Sequence, residues 1–304
     1  MKTVKAGAVF GFAWVLLFAL TFGVLLCVPA AAKEAEIPEG YTAISSAEDL
    51  LCIFDLSGKY ILTQDIDLTD VDGCDPWTAL GYNKNSTAQE EFTGVIDGNG
   101  YSIYGLNGSG GLVYINSGTV RNLTIASGTI SGAKNIGTFC YRNNGLIENC
   151  VNRANVTASR ADGTYGYVGG FCSYNYGTIS GCVNTGTVNG SSYQATGYVG
   201  GIAGYSGNGS VITLCRNTGS LTMEPRGTIS GFVGGIVGYA ASASIYDVYN
   251  NGSLTCDAPA GSYPGEYVGE LPAMPPAVQC SQMHIRQVLL QGTIVGEVSD
   301  HLGI

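Results

Sequence analysis

Four segments of this chain repeat one pattern, and that repeat limits what the chain can fold into. Equivalent asparagines follow one another at intervals of 32, 33 and 33 residues: Asn152, Asn184, Asn217 and Asn250. The units that contain them begin at Ile136, Val168, Val199 and Val233. A weaker unit begins at Gly111, and a further one opens with Tyr267-Val268-Gly269. Because one such unit cannot bury its apolar face alone, the units are expected to stack into a solenoid.

The residues inside each unit favour strands over helices. The chain has 46 glycines, and a typical unit, VGGIAGYSGNGS from Val199, lacks an apolar stripe at the helical period. Glycine costs about 1 kcal/mol in a helix interior, which argues against ankyrin and tetratricopeptide arrays. A propeller blade needs about 40 residues and four strands, more than these units supply. The predicted fold class is all-β, a right-handed parallel β-helix with one repeat per coil and a short N-terminal capping helix.

Two residue types recur where the coils are expected to turn. The glycine pairs are predicted to permit sharp bends or positive φ: Gly169-Gly170, Gly200-Gly201 and Gly234-Gly235. The repeat asparagines are predicted to lie one above another, with their side chains hydrogen-bonded along the coil axis. Ordinary Asn-Gly turn chemistry, without such a ladder, is the alternative.

The first residues have the layout of a secretory signal peptide. Lys2 and Lys5 precede an apolar run, which ends in the small residues before Lys33. Residues 1–32 are therefore predicted to be a signal peptide, with a secreted or cell-surface location for the rest. An uncleaved membrane anchor is the alternative, because the run is long enough to span a bilayer. Residues 33–110 are assigned to an N-terminal cap and the first coils, and Ser45-Ser46-Ala47-Glu48 predicts the capped helix.

The chain changes character after the repeat coils, which are assigned to residues 111–268. Residues 269–304 contain both histidines and several prolines, while glycine becomes scarce. With permitted codon choices, a shifted reading frame from Glu270 encodes a string that closes on the repeat-like Ser-Thr-Gly-Thr-Val. The hypothesis is that this atypical tail is frameshifted and that the chain is a truncated fragment of a larger surface protein. A separate small domain is the other interpretation, although so short a segment rarely folds alone.

Several stretches resemble a known family. The segments KYILTQDIDL from Lys59 and FTGVIDGNGYSIYGL from Phe92 resemble the opening of bacterial surface β-helices. The VGGIxGY…NTG units resemble GLUG repeats, which occur in adhesin-like surface proteins and in the N-terminal regions of zinc-dependent immunoglobulin A peptidases. The resemblance covers about residues 41–268. It implies attachment, host contact or spacing from the envelope; the sequence shows no LPxTG-type sorting signal, so the means of attachment stays open.

Residues that carry catalysis are sparse in the repeats. Both histidines, His284 and His301, lie beyond them, so the repeats hold no His-Glu-x-x-His zinc site and no Ser-His-Asp triad. Glycoside hydrolysis needs two acids at a fixed separation. The acids of the repeats occupy non-equivalent positions: Glu148, Asp162, Glu224 and Asp247. The sequence therefore predicts no catalytic residue, no metal site and no cofactor, with a catalytic pair from distant residues as the alternative.

Three other clusters have a structural and a functional interpretation. The first is acidic, and it fits a solvated loop better than a Ca²⁺ site, because the EF-hand spacing is absent: Asp65, Asp67, Asp70, Asp72 and Asp75. The second is a set of aligned cysteines, expected to pack as buried thiols: Cys140 with Cys172, and Cys150 with Cys182 and Cys215. Cys52 and Cys74 are the best candidates for a disulfide. The third is the aligned tyrosines Tyr174, Tyr205 and Tyr239, which form either a packing ladder or a surface for sugar rings.

These observations predict a non-catalytic secreted or cell-surface β-helix protein, an adhesin or a structural spacer. A polysaccharide-binding or polysaccharide-processing β-helix protein is the alternative. The expected partners are host glycans, host surface proteins or cell-wall components. The formal charge of −10 argues against nucleic acid as a partner.

Overall fold

The structure, a computed structural model, describes residues 37–159, 166–193, 196–226, 231–257 and 266–269. The predicted signal peptide, Asp162 and most of the tail, including both histidines, lie outside these residues. Every strand pairing in the described part of the chain is parallel. Successive strands belong to different sheets before the chain returns to the first, so the fold is the predicted parallel β-helix.

Five sheets line the solenoid, numbered I to V in the order in which a complete coil visits them. Sheet I contains β15 (Gly166–Gly169), β20 (Gly197–Gly200), β25 (Gly231–Gly234) and β30 (Glu266–Gly269). Sheet II contains β4 (Glu91–Phe92), β7 (Val113–Asn116), β11 (Cys140–Asn143), β16 (Cys172–Asn175), β21 (Ala203–Ser206) and β26 (Val237–Ala240).

The remaining sheets complete each coil. Sheet III contains β1 (Thr42–Ile44), β2 (Lys59–Leu62), β5 (Val95–Asp97), β8 (Thr119–Arg121), β12 (Leu146–Glu148), β17 (Thr178–Ser180), β22 (Val211–Thr213) and β27 (Ser244–Tyr246). Sheet IV contains β3 (Ile66–Asp67), β6 (Ser102–Tyr104), β9 (Thr124–Ile125), β13 (Val151–Asn152), β18 (Val183–Asn184), β23 (Arg216–Asn217) and β28 (Tyr249–Asn250). Sheet V contains β10 (Thr129–Gly132), β14 (Asn155–Ser159), β19 (Val188–Tyr193), β24 (Leu221–Arg226) and β29 (Leu254–Cys256).

Columns of similar side chains fill the core, and each coil contributes one residue to each column. In sheet III one column is buried from β2 to β27: Tyr60, Ile96, Val120, Ile147, Ile179, Ile212 and Ile245. In another column, Phe139 and Phe171 stack with their ring centroids 4.7 Å apart. Because parallel strands of successive coils lie in register, one inward position per coil gives one continuous apolar column, and its burial drives the stacking.

The predicted asparagine ladder is confirmed in sheet IV. Asn152, Asn184, Asn217 and Asn250 are consecutive register partners. The three Nδ2 groups donate to the Oδ1 of the next asparagine at 2.8, 2.7 and 2.7 Å. Each also donates within its own coil, as Asn184 does to the Gly186 carbonyl at 3.0 Å. Burial in a dry core is tolerated because both amide hydrogens are used.

A second ladder in sheet II was missed by the sequence analysis. Asn116 Nδ2 donates to Asn143 Oδ1 at 2.7 Å, and Asn143 Nδ2 donates to Asn175 Oδ1 at 2.9 Å. The ladder closes on the hydroxyl of Ser206, which Asn175 Nδ2 reaches at 3.3 Å. At its other end Asn116 Oδ1 is buried without a hydrogen-bond partner, because its register partner is Phe92.

The repeated glycine pairs allow close packing. None of these glycines has a positive φ, so the alternative of positive φ is wrong for them. A Cβ on Gly200 would lie 2.0 Å from the Ala203 carbonyl oxygen, inside the bend that joins sheets I and II. A Cβ on Gly201 would lie 2.5 Å from Cγ of the ladder residue Asn217. Gly169 and Gly200 are thus required by the bend, and the second glycine of each pair is required by the asparagine ladder.

The predicted N-terminal helix is confirmed as α1 (Ala47–Leu51), with Ser46 as its N-cap residue. The Ser46 hydroxyl accepts from the Asp49 N–H at 3.1 Å. The Asp49 carboxylate in turn accepts from the N–H and the hydroxyl of Ser45, both at 2.8 Å, and these hydrogen bonds lower its pKa. Leu50 enters the core, so the helix is joined to the first coils. None of the helices in the described ranges is long and apolar enough to cross a bilayer.

The aligned cysteines pack as predicted, whereas the predicted disulfide is wrong. Cys140 and Cys172 are register partners, and both are fully buried free thiols. Cys182 donates its S–H to the Ser180 carbonyl at 3.2 Å, and burial raises its pKa. Cys52 and Cys74 are free thiols as well: Cys74 is buried in the core, while Cys52 is exposed at the end of α1.

The ladder is expected to contribute measurably to stability. Replacing Asn184 by Ala leaves buried amide and carbonyl groups of the adjacent coils unpaired, so the free energy of unfolding should fall by about 1–3 kcal/mol. Urea denaturation would measure the change as a lower midpoint with an unchanged slope. Asn189→Ala, on the outer side of sheet V, is the control and should change stability by less than about 0.5 kcal/mol. Equal midpoints for the two variants would contradict a structural role for the ladder.

Leu214 is predicted to be a strained position. It has φ of +53° and is 63% exposed, in a turn whose equivalents in other coils are the positive-φ residues Asn122, Asn149, Gly181 and Asp247. The left-handed conformation costs about 1–2 kcal/mol for most side chains, and less for asparagine. Leu214→Asn should therefore raise the free energy of unfolding by about 1 kcal/mol, measured by urea denaturation. Leu214→Ala keeps the strain and should bring no gain; an equal gain from both variants would contradict the explanation.

Candidate functional site: a layer of tyrosines

The structure does not bring the acids of the described repeat coils together. Glu148 lies at the end of β12, and Asp247 follows β27, three strands further along sheet III. Glu224 lies on the other side of the coil, in sheet V. Within the described ranges, no group of three or more histidine, cysteine or acidic side chains is placed to hold a metal ion.

The acidic segment near β3 makes local hydrogen bonds. The Asp65 carboxylate accepts from the Ser102 N–H at 2.8 Å, and the Asp67 carboxylate accepts from the Thr69 N–H at 2.9 Å. The hydrogen bonds from Thr69 lower the pKa of Asp67. Asp65 thus joins its coil to the next one, and Asp67 stabilises the turn that follows β3.

A continuous layer of aromatic rings covers sheets I and II. Tyr174, Tyr205 and Tyr239 are register partners in sheet II, as the aligned repeats predict. Tyr167, Tyr198 and Phe232 are register partners in sheet I, which the sequence analysis did not single out. Here the tyrosine layer means these rings and the tyrosines in contact with them: Tyr82, Tyr114, Tyr141, Tyr167, Tyr174, Tyr176, Tyr198, Tyr205, Phe232 and Tyr239.

Many rings of the layer pack against one another. Tyr114 and Tyr141 stack at 4.8 Å with 8° between their planes, and Tyr167 and Tyr198 stack at 5.1 Å with 12°. Contacts between the two sheets are edge-on, as for Tyr167 and Tyr205 at 5.3 Å and 69°. Both geometries are favourable for aromatic pairs. The layer is therefore a packing ladder whose stacked faces are not open to a sugar ring.

Small residues beneath the layer let the two sheets meet closely. Ser173 is buried and its hydroxyl donates to the Tyr167 carbonyl at 2.9 Å. In the next coil the equivalent residue is Gly204, where a Cβ would lie 2.5 Å from the Val168 nitrogen. Tyr114 and Tyr141 take this position in the coils before β15. The Gly-Tyr of the repeat motif is thus explained: glycine admits the strand of sheet I, and tyrosine packs beside it.

Half of the rings in the layer carry a hydroxyl that makes no hydrogen bond within the described residues. None of these five hydroxyls is sealed from solvent: Tyr114, Tyr141, Tyr167, Tyr205 and Tyr239. Burial of the rings raises the pKa of Tyr167 and Tyr205, and neighbouring phenols raise it further. Rings at the margin are more open: Tyr82 and Tyr176 are 42% and 44% exposed. The arrangement offers a row of neutral phenol groups, each able to donate and to accept a hydrogen bond.

Comparison with known proteins identifies the repeat. The family model described as the GLUG motif matches residues 164–189, a range that includes the glycine pair Gly169-Gly170 and the ladder residue Asn184. The coil that contains residues 164–189 therefore matches the GLUG motif, and the units that begin at Ile136, Val199 and Val233 repeat its pattern. A comparison with curated proteins finds none that matches.

Two solved structures are similar to the chain. A crystal structure of a Bacteroides ovatus protein, provisionally named an immunoglobulin A1 protease, is 19% identical with a TM-score of 0.50. The match covers 83% of this chain and 81% of that protein, and at this identity it shows a shared fold. A structure named IgA1 protease is 16% identical with a TM-score of 0.48, covering 78% of this chain and 22% of that one. The chain thus spans about a fifth of the second protein.

The alkaline stability of the protein should depend on the layer. Because the pKa of Tyr205 is raised in the folded state, its contribution to stability is complete below the unfolded pKa of about 10 and is lost as pH rises through the folded pKa. Tyr205→Phe removes the titrating group and should lose less stability between neutral pH and about pH 11. Thermal unfolding across this range would measure the loss. Tyr104→Phe, an exposed tyrosine outside the layer, should behave as the unaltered protein; identical losses for both variants would contradict the assignment.

Proposed function

We propose that this chain is a non-catalytic, secreted or cell-surface β-helix protein that acts as an adhesin through its tyrosine layer. The observation that carries the proposal is a set of half-buried tyrosines whose hydroxyls make no hydrogen bond within the described residues: Tyr114, Tyr141, Tyr167, Tyr205 and Tyr239. A buried tyrosine ordinarily finds a hydrogen-bond partner for its hydroxyl, and tyrosine is enriched at protein interfaces. Rings that are fixed by one another lose little conformational freedom on binding, which favours affinity.

Two observations support the absence of catalysis from the repeat coils. Glu148, Glu224 and Asp247 are held on different coils or different sheets, whereas hydrolysis needs convergent groups. The Bacteroides ovatus protein carries the name of a protease, but at 19% identity its likeness concerns the fold. A structural spacer is the other candidate function for this fold, and it would need no ligand.

The truncation hypothesis also remains a proposal. β30 pairs with β25 in the repeat register, with Tyr267 opposite Phe232 and Gly269 opposite Gly234. This pairing supports a sixth start of the motif at the point where the sequence then departs from it. The nucleotide sequence tests the idea: a frame shifted at Glu270 that fails to encode further repeats would rule it out.

Adhesion should depend on the exposed rings of the layer. The full chain, coupled to beads, is expected to be retained on surfaces coated with mucin or with peptidoglycan. Tyr82→Ala combined with Tyr176→Ala should lower retention by about tenfold, because these rings are the most open of the layer and tyrosine is enriched among interface residues whose truncation costs more than about 1 kcal/mol. The matched control is Tyr104→Ala combined with Tyr249→Ala, which removes rings that are 39% and 48% exposed outside the layer.

Two outcomes would overturn this proposal. Equal retention of the two double variants would refute adhesion through the layer and leave the spacer role. Cleavage of immunoglobulin A1 or of a polysaccharide by the pure chain would refute the non-catalytic assignment.

A further inference from the structure

We infer that the tyrosine layer binds an uncharged polysaccharide chain that lies along the solenoid axis. The inference rests on the proposed adhesin function and names its ligand class. Three features of the layer carry it: its repeat along the coils, the hydrogen-bonding character of its open hydroxyls and its lack of free charge.

The first feature is that the layer repeats along one direction. Rings follow one another from coil to coil along sheet II, with centroid separations of 4.8, 4.8, 5.4, 5.8 and 5.7 Å, in the order Tyr82, Tyr114, Tyr141, Tyr174, Tyr205 and Tyr239. Each of these coils therefore presents one tyrosine of the row, with Tyr141 one residue before the register partner of Tyr174. A ligand that uses several of them at once must itself be extended and repetitive, which describes a polymer better than a compact molecule.

The second feature is the chemistry of the open groups. The hydroxyls of Tyr114, Tyr141, Tyr205 and Tyr239 both donate and accept, and no protein group in the described ranges occupies them. Sugar hydroxyls have the same dual character, so each contact can be satisfied in either direction. The exposed parts of the Tyr82 and Tyr176 rings add apolar surface for the C–H groups of a sugar ring. Binding by edges and hydroxyls needs none of the ring faces that the stacking covers.

The third feature is electrostatic. The strands of sheets I and II that carry the layer, from β7 to β26, contain one charged residue, Arg142. Its guanidinium lies 3.5 Å from the Glu91 carboxylate. Lys134 is the other cation whose charge lowers the pKa of Tyr141, and it also interacts with another group of the protein. The phenols are neutral at neutral pH and the chain carries a formal charge of −10, so a polyanion meets repulsion without compensating contacts.

The test is a binding series with defined polysaccharides and the full chain. Uncharged glucan, mannan and xylan are compared with polygalacturonate and heparin by affinity electrophoresis, and oligosaccharides of increasing length by calorimetry. At least one uncharged polymer should bind about tenfold more tightly than either polyanion, with little dependence on salt. Its affinity should rise with oligosaccharide length, because a longer chain along the axis meets more coils.

A matched pair of variants isolates the hydroxyls. Tyr114→Phe combined with Tyr205→Phe keeps the ring stacking and should weaken binding of the uncharged polymer by about tenfold, as expected for two lost hydrogen bonds. Tyr104→Phe combined with Tyr246→Phe removes two hydroxyls outside the layer and should leave binding unchanged.

The outcomes separate this inference from the proposed function. Retention on mucin or peptidoglycan through the layer, without binding of any uncharged polysaccharide, overturns the inference and leaves the adhesin. Tighter, salt-dependent binding of a polyanion does the same. Affinity that does not change with oligosaccharide length overturns the axial alignment, and no retention on any surface overturns both proposals.

Discussion

The backbone of each coil takes its hydrogen bonds from the coils on either side, and the rest of the structure depends on this exchange. Buried N–H and C=O groups must be paired, and short strands such as β13 or β18 cannot pair within their own coil. Parallel, in-register stacking pairs these strands with their equivalents in the adjacent coils and places equivalent residues directly above one another. A side chain at a given position must therefore pack well against the equivalent side chain of the next coil. Asparagine, isoleucine, cysteine and tyrosine recur because each packs well against itself.

The two asparagine ladders show how that rule extends to polar groups in the core. An isolated buried carboxamide would be costly, but an amide that donates to the next amide along the axis is satisfied by repetition alone. The ladder then dictates sequence elsewhere, since the side chain of Asn217 occupies the space that a Cβ on Gly201 would need. The glycine pair and the asparagine, far apart in each unit, are thus one structural element.

The fold can be predicted from the sequence because equivalent residues recur at a nearly constant spacing. The spacing of Asn152, Asn184 and Asn217 predicts both the coil length and the ladder. The second ladder was harder to detect, since it begins where the units are shorter and ends at Ser206 instead of an asparagine. The tyrosine layer was only partly predicted. The column of Tyr174 and Tyr205 follows from the alignment, whereas its contact with Tyr167 depends on how closely sheets I and II pack. That spacing is set by Ser173 and Gly204, whose role no local pattern reveals.

The thiol columns have a consequence for how the protein can be made. In the folded protein Cys140, Cys172 and Cys182 are sealed in the core, and the raised pKa of Cys172 and Cys182 disfavours the thiolate, the form that attacks a disulfide. Once the coils close, an external oxidant reaches these sulfurs only by opening the solenoid. Before they close, the same thiols are open to mispairing. Under the proposed export of the chain, coil stacking must therefore be faster than oxidation, so that folding preserves the reduced state of these thiols.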